Sequence, residues 1–159
     1  MEKRYYKDFY KLQMTMLNNR HNVIIFGPES SGKCEALERC IEQFSISDRI
    51  ALLTSKSVLF AKAYDNENVT CYNWRRDQKR IDPNQIGDQY NMIIIDGYCE
   101  NWDEFIKSHP DARIVMAIRS DSFGDLDSKI KRHFKIIAKT GIIEDQDRIK
   151  GIIAIKTYK

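Results

Sequence analysis

Val23-Ile24-Ile25-Phe26-Gly27-Pro28-Glu29-Ser30-Ser31-Gly32-Lys33-Cys34-Glu35 is the stretch on which the fold turns. Four apolar residues in a row, stopped by Gly27-Pro28, read as a short strand buried on both faces. Beyond the loop, Leu37, Cys40, Ile41 and Phe44 recur at helical spacing, so a helix over residues 32–44 leaves it. Between the two, Gly27, Gly32 and Lys33 fit G-x-x-x-x-G-K. Each residue type has a physical purpose there. Glycines let the backbone turn sharply and bring its N–H groups against phosphate oxygens. The helix starting near Gly32 points the positive end of its dipole at the anion, and Lys33 adds a full charge. Three fixed positions recur by chance in about one chain in twenty or thirty of this length. The strand before and the helix after separate this instance from that background. The residues expected to line a nucleotide-phosphate site are Gly27, Pro28, Glu29, Ser30, Ser31, Gly32, Lys33, Cys34 and Glu35, with ATP or another NTP as the ligand.

The position after the lysine weakens the case for chemistry. A hydroxyl there would hold Mg²⁺, but the residue is Cys34, and a thiol is a soft partner for a hard cation. Backbone amides still supply most phosphate contacts, so nucleotide affinity survives while metal placement suffers. The acid expected near the metal is Asp96, at the end of the apolar run Met92-Ile93-Ile94-Ile95, in the manner of a Walker B strand. Cys34 and Asp96 are therefore the candidate metal positions, with Mg²⁺ as the metal. A hydrolase also needs a group to orient or deprotonate water, for which Glu29 and Glu100 are candidates. Arg119, after the fifth apolar run, is placed to meet a γ-phosphate or to act across a subunit interface. The candidate catalytic set is Lys33, Asp96, Glu29 and Arg119. Plainer roles stand beside it: Asp96 as a turn acid before Gly97, Glu29 and Arg119 as surface charges.

Outward from the loop, strand and helix patterns alternate. Residues 4–19 read as an N-terminal helix, within an N-terminal element of residues 1–20. Strand patterns follow at 23–26, 50–53, 69–72, 92–96 and 113–118, and helical ones at 32–44, 56–65, 101–108 and 123–132. Residues 73–90 are a long polar connection containing Pro83 and Gly87. Phe134 to Lys139 and Ile149 to Tyr158 read as two strands joined by a loop, antiparallel if it is a hairpin. The expectation is an α/β three-layer sandwich: a mostly parallel sheet covered by helices on both faces, closed by an antiparallel pair, as one domain over residues 1–159.

Composition sets limits. With 26 Lys and Arg against 23 Asp and Glu, the net charge of +3 permits an acidic partner without arguing for one. No apolar signal core follows Met1-Glu2-Lys3-Arg4, and no apolar run is long enough for a membrane span. Cys34, Cys40, Cys71 and Cys99 form no CxxC pair, so free thiols in a reducing cytoplasm are expected.

The loop GPESSGK, Gly27 to Lys33, resembles the Walker A loop of the RecA recombinases. A broader resemblance, over roughly residues 14–158, is to the hexameric ATPases of type II and type IV secretion, including their conjugation, pilus and Tad branches. Asn22 to Gly27 is similar to their strand into Walker A, and Ser47-Asp48-Arg49-Ile50 to the lead into their next strand. Asn68-Val69-Thr70 falls at the following strand, and Asp96 in the Walker B region. Asp111 to Ile118 resembles the strand before their His box, and Phe134 to Ile155 their closing strand pair. The resemblance implies a P-loop NTPase fold with a RecA-like core, a nucleotide site, and ring assembly or contact with secretion machinery. It does not carry over catalysis. The acidic box holding the family's catalytic glutamate reads Thr54-Ser55-Lys56 here. The His-box position holds Arg119-Ser120-Asp121, Gly97-Tyr98 replaces a Gly-Glu pair, and the family's large N-terminal domain has no counterpart beyond residues 1–20.

Two basic stretches are left over: Trp74 to Arg80, four cations beside an aromatic, and Lys129 to His133. A nucleic-acid groove uses such residues, but solvated faces use them equally. Among Tyr5, Tyr6, Phe9 and Tyr10, core packing or a partner contact is favoured over a cofactor box. Three functions remain: a reduced secretion-type ATPase with slow or absent turnover, a non-enzymatic regulatory or assembly partner with a degenerate P-loop fold, and a small RecA-like DNA-linked ATPase.

Overall fold

The protein is represented by a computed structural model that describes residues 2–55, 65–120, 128–144 and 149–158. The described elements are α1 (Glu2–Asn18), β1 (Val23–Gly27), α2 (Lys33–Phe44), β2 (Ile50–Thr54), β3 (Val69–Asn73), β4 (Met92–Asp96), α3 (Trp102–Ser108), β5 (Arg113–Arg119), α4 (Ser128–His133), β6 (Ile136–Glu144) and β7 (Ile149–Thr157). The helix expected over 56–65 falls outside the described residues except for Asp65, as do residues 123–127 of the one expected over 123–132. Of the last strand pair, β6 starts later than expected and runs further, while β7 starts where expected and ends one residue sooner, at Thr157. Phe134 is not in β6; its N–H still bonds Ile130 O at the end of α4, and its ring is fully buried. Pairing with β7 then carries β6 on to Glu144, with irregularities after Lys139 and after Ile142.

The seven strands form one sheet in the order β3-β2-β4-β5-β1-β6-β7, parallel except for β7, which pairs antiparallel with β6. Its core shows why the central strands read as unbroken apolar runs. Successive side chains of a strand point to opposite faces. Val23 and Ile25 of β1 accordingly join Ile50, Leu52, Met92, Ile94 and Val115 in one cluster, with Leu12 and Met16 of α1 and Leu37, Cys40 and Phe44 of α2. Ile24 and Phe26 join Leu53, Ile93, Ile95 and Met116 in the other, with Trp102 and Phe105 of α3 and Ile130 of α4. Helices on both faces leave no polar alternation in β1, β2 or β4, each buried throughout. Burying each such Ile or Leu contributes on the order of 1.5–3 kcal/mol.

The connection over 73–90 holds two short 3₁₀ turns, Arg76–Gln78 and Pro83–Gln85. Asn101 pins it from α3's side, accepting from Ile81 N at 3.2 Å and donating to Ile81 O at 2.7 Å. Among the described residues no helix is long and apolar enough to cross a membrane.

Candidate functional site

Parallel pairing brings the carboxyl ends of β1, β2, β4 and β5 to one edge of the sheet. Gly27 sits in register with Arg119, and Asp96 with Ala117. Because β5 lies between β1 and β4, Asp96 stands two strands from the loop, about 10 Å across at one strand spacing each.

The loop leaves β1 at Gly27 and enters α2 at Lys33. Two of its residues take positive φ: Ser30 at 58° and Gly32 at 106°. Gly32 is the N-cap of α2 and offers no side-chain hydrogen bond to the first turn. A helix start has four N–H groups without helical partners, and an anion can satisfy them. Lys33 bends back over the loop, its ammonium donating to Gly27 O at 2.9 Å and Pro28 O at 2.6 Å. Gly27 O also accepts from Ser120 N at 3.1 Å, which ties the loop to the end of β5.

Beneath the loop lies a contact with no local sequence signal. Ser31 and Thr140 are both buried, and their hydroxyls meet at 2.6 Å. The Thr140 hydroxyl also donates to Phe26 O at 3.3 Å. Gly27 is required here, because a β-carbon on it would overlap the Thr140 hydroxyl and come within 2.6 Å of Ser31 Oγ. Of the expected phosphate-site side chains, that of Ser31 is therefore turned to β6, and Ser31 can serve a ligand only through its backbone. Pro28, Glu29, Ser30 and Glu35 are exposed, and Glu35 lies in the first turn of α2, where an acid suits the helix dipole.

Cys34 is half-buried and packs against the α1–α2 cluster. Asp96 is 1% exposed, and Thr54 Oγ1 donates to its Oδ2 at 2.9 Å. Thr54 ends β2 as Asp96 ends β4, an apolar run closed by an oxygen, so that pairing had a readable signal. Glu29 and Arg119 come together at 3.7 Å, but they are 77% and 71% exposed, a pair of little energetic weight. Glu100 is exposed, and its N–H bonds Lys79 O at 2.7 Å. Among the described residues no three His, Cys, Asp or Glu side chains gather as a metal site.

The leftover stretches have structural occupations. Trp74 is fully buried, so it offers no stacking face. Arg80 pairs with Glu104 at 3.0 Å and Lys129 with Asp103 at 3.3 Å, both acids being in the first turn of α3. Phe9 is core and Tyr10 is 57% exposed, while the side chains of Tyr5 and Tyr6 lie outside the described residues.

No protein-family model matches the chain, and no curated protein matches it in sequence. Its fold is nonetheless shared with a solved structure, the VirB11 ATPase of the Brucella suis type IV secretion system in complex with sulphate, at a TM-score of 0.69 and 10% identity. The match takes in 97% of this chain and 53% of that one, so the chain spans about half the length of the VirB11 chain it matches.

Proposed function

We propose that this chain is a P-loop protein with a RecA-like core that binds the phosphates of a nucleotide, ATP first among them, with weak or absent hydrolysis. The observation that carries the reading is the loop Gly27–Lys33: it opens α2 at the carboxyl edge of a parallel sheet, with a glycine N-cap at φ 106° and an ammonium folded over it. Phosphate oxygens would take the first-turn N–H groups of α2, and Lys33 would exchange its loop carbonyls for them. The residues fit a polyphosphate. They fit Mg²⁺ poorly, since position 34 carries a half-buried thiol and the Ser31 hydroxyl is spent on Thr140. We accordingly derive no metal-dependent step, and Asp96, held by Thr54, is assigned to positioning at the edge of the site.

The fold shared with a secretion ATPase supports placing the chain, as a single domain, beside cytoplasmic secretion or conjugation machinery, alone or as a ring. The burial of Asp96 and the exposure of Glu29 favour a second reading, a degenerate P-loop fold used in assembly or regulation. Isothermal titration with ATP and ADP across a range of Mg²⁺ concentrations tests both. Micromolar binding lost in Lys33→Ala supports the first reading, and Cys34→Thr should make affinity more Mg²⁺-dependent. Absence of binding, together with tight self- or hetero-association, favours the second.

A further inference from the structure

We infer that Lys150, near the start of β7, supplies a second ammonium to the bound phosphate chain, so that the β6–β7 hairpin is part of the nucleotide site. The inference rests on the phosphate-loop reading and deepens it. Gly32 lacks a β-carbon, and where one would stand, Lys150 Cβ and Gly151 N lie 3.2 Å away. The backbone of β7 therefore abuts the N-cap of α2. Residues two apart on a strand share a face, and Ile152 lies in the hydrophobic cluster with α2, so Lys150 faces α2's side of the sheet. A lysine ammonium reaches about 5 Å from its Cβ over four single bonds, which brings the N-terminal turn of α2 within range. Lys150 is half-buried, and among the described residues no carboxylate pairs with it. The hairpin is held against the loop by the Thr140 contacts to Ser31 and Phe26.

Charge gives the arrangement its sense. A triphosphate outweighs one ammonium and the helix dipole, which is worth about half a charge. Mg²⁺ would ordinarily cover the difference, but Cys34 removes its hydroxyl ligand. A lysine delivered by the hairpin covers part of the same deficit without a metal.

The test is ATP titration in EDTA on the full chain. Lys150→Met should bind about tenfold more weakly, the loss of one charge-assisted contact, whereas Lys150→Arg should stay within about twofold of the parent. ATP should also protect the Lys150 amine of the unmutated protein from an acylating reagent, read by mass spectrometry. Wild-type affinity in Lys150→Met, with binding lost in Lys33→Ala, overturns the role of Lys150 and leaves the phosphate loop standing. Absence of ATP binding by the unmutated chain overturns both. Should Lys150→Met not fold, unprotected acylation of Lys150 under saturating ATP overturns the inference by itself.

Discussion

Replacing Thr140 by Val keeps the shape of the side chain and deletes one oxygen. That oxygen meets Ser31 Oγ at 2.6 Å and Phe26 O at 3.3 Å, and Thr140 is 0% exposed. The variant leaves the Ser31 hydroxyl, on a residue 1% exposed, without the partner it has here. Stranding a buried hydroxyl costs about 1–3 kcal/mol, and the longer contact to Phe26 adds less. A loss of about 2 kcal/mol lowers Tm by about 4–8 °C in a chain of this size. Ser31→Ala leaves the Thr140 hydroxyl its bond to Phe26 O, and the double variant leaves neither hydroxyl of the pair stranded, so the double costs less than the two singles summed. Thermal denaturation of Thr140→Val, Ser31→Ala and the double variant should therefore show the double more stable than the sum of the singles by about 1 kcal/mol or more. Wild-type melting of Thr140→Val, or strict additivity, would refute the claim that this hydroxyl pair fastens the loop to β6.

Gly32→Ala forces an L-residue to φ 106° and sets its methyl against Gly151 N and Lys150 Cβ. It should cost about 1–3 kcal/mol in urea denaturation and abolish ATP binding; tolerance on both counts would discredit the geometry of the loop. Arg113→Met removes the donor that bonds Met16 O at 2.7 Å and Asn19 O at 3.1 Å at the end of α1. It should destabilise the protein by about 1.5–3 kcal/mol and raise amide exchange across α1, which unchanged exchange would contradict. Burial pushes the Cys40 thiol up from 9.0 to about 12, with Arg113 opposing the rise. Above pH 9 the unfolded chain sheds a proton that the folded chain keeps, so stability falls with rising pH by about 1.4 kcal/mol per unit until the folded thiol ionises. Cys40→Ala should flatten the decline of the urea midpoint between pH 9 and pH 11, and an identical decline in both proteins would count against the burial argument.

The elements nearest the loop were legible because their signals are local. An apolar run stopped by Gly27-Pro28 and a 3.6-residue stripe from Leu37 to Phe44 report the immediate hydrogen-bonding and burial of those residues, and they became β1 and α2. The closing hairpin was legible in kind and misjudged in extent. Its length depends on how far β7 accompanies β6, which the residues around Thr140 do not encode by themselves. Trp74, grouped in sequence with four cations, went to the core because Ile93, Phe105 and their neighbours on that face needed covering.

From its residues alone, then, this chain declares an alternating α/β order, buried central strands and a glycine-lysine turn between the first strand and its helix. Local backbone preference and apolar patterning determine each of these. Only the tertiary structure decided that β5 separates β1 from β4, that Thr54 closes on Asp96, and that Thr140 and Lys150 stand against Ser31 and Gly32. Parallel strands with the same apolar signature are interchangeable to a local reading. Their order, and every contact between side chains a hundred residues apart, is settled by which arrangement buries both faces of the sheet at once.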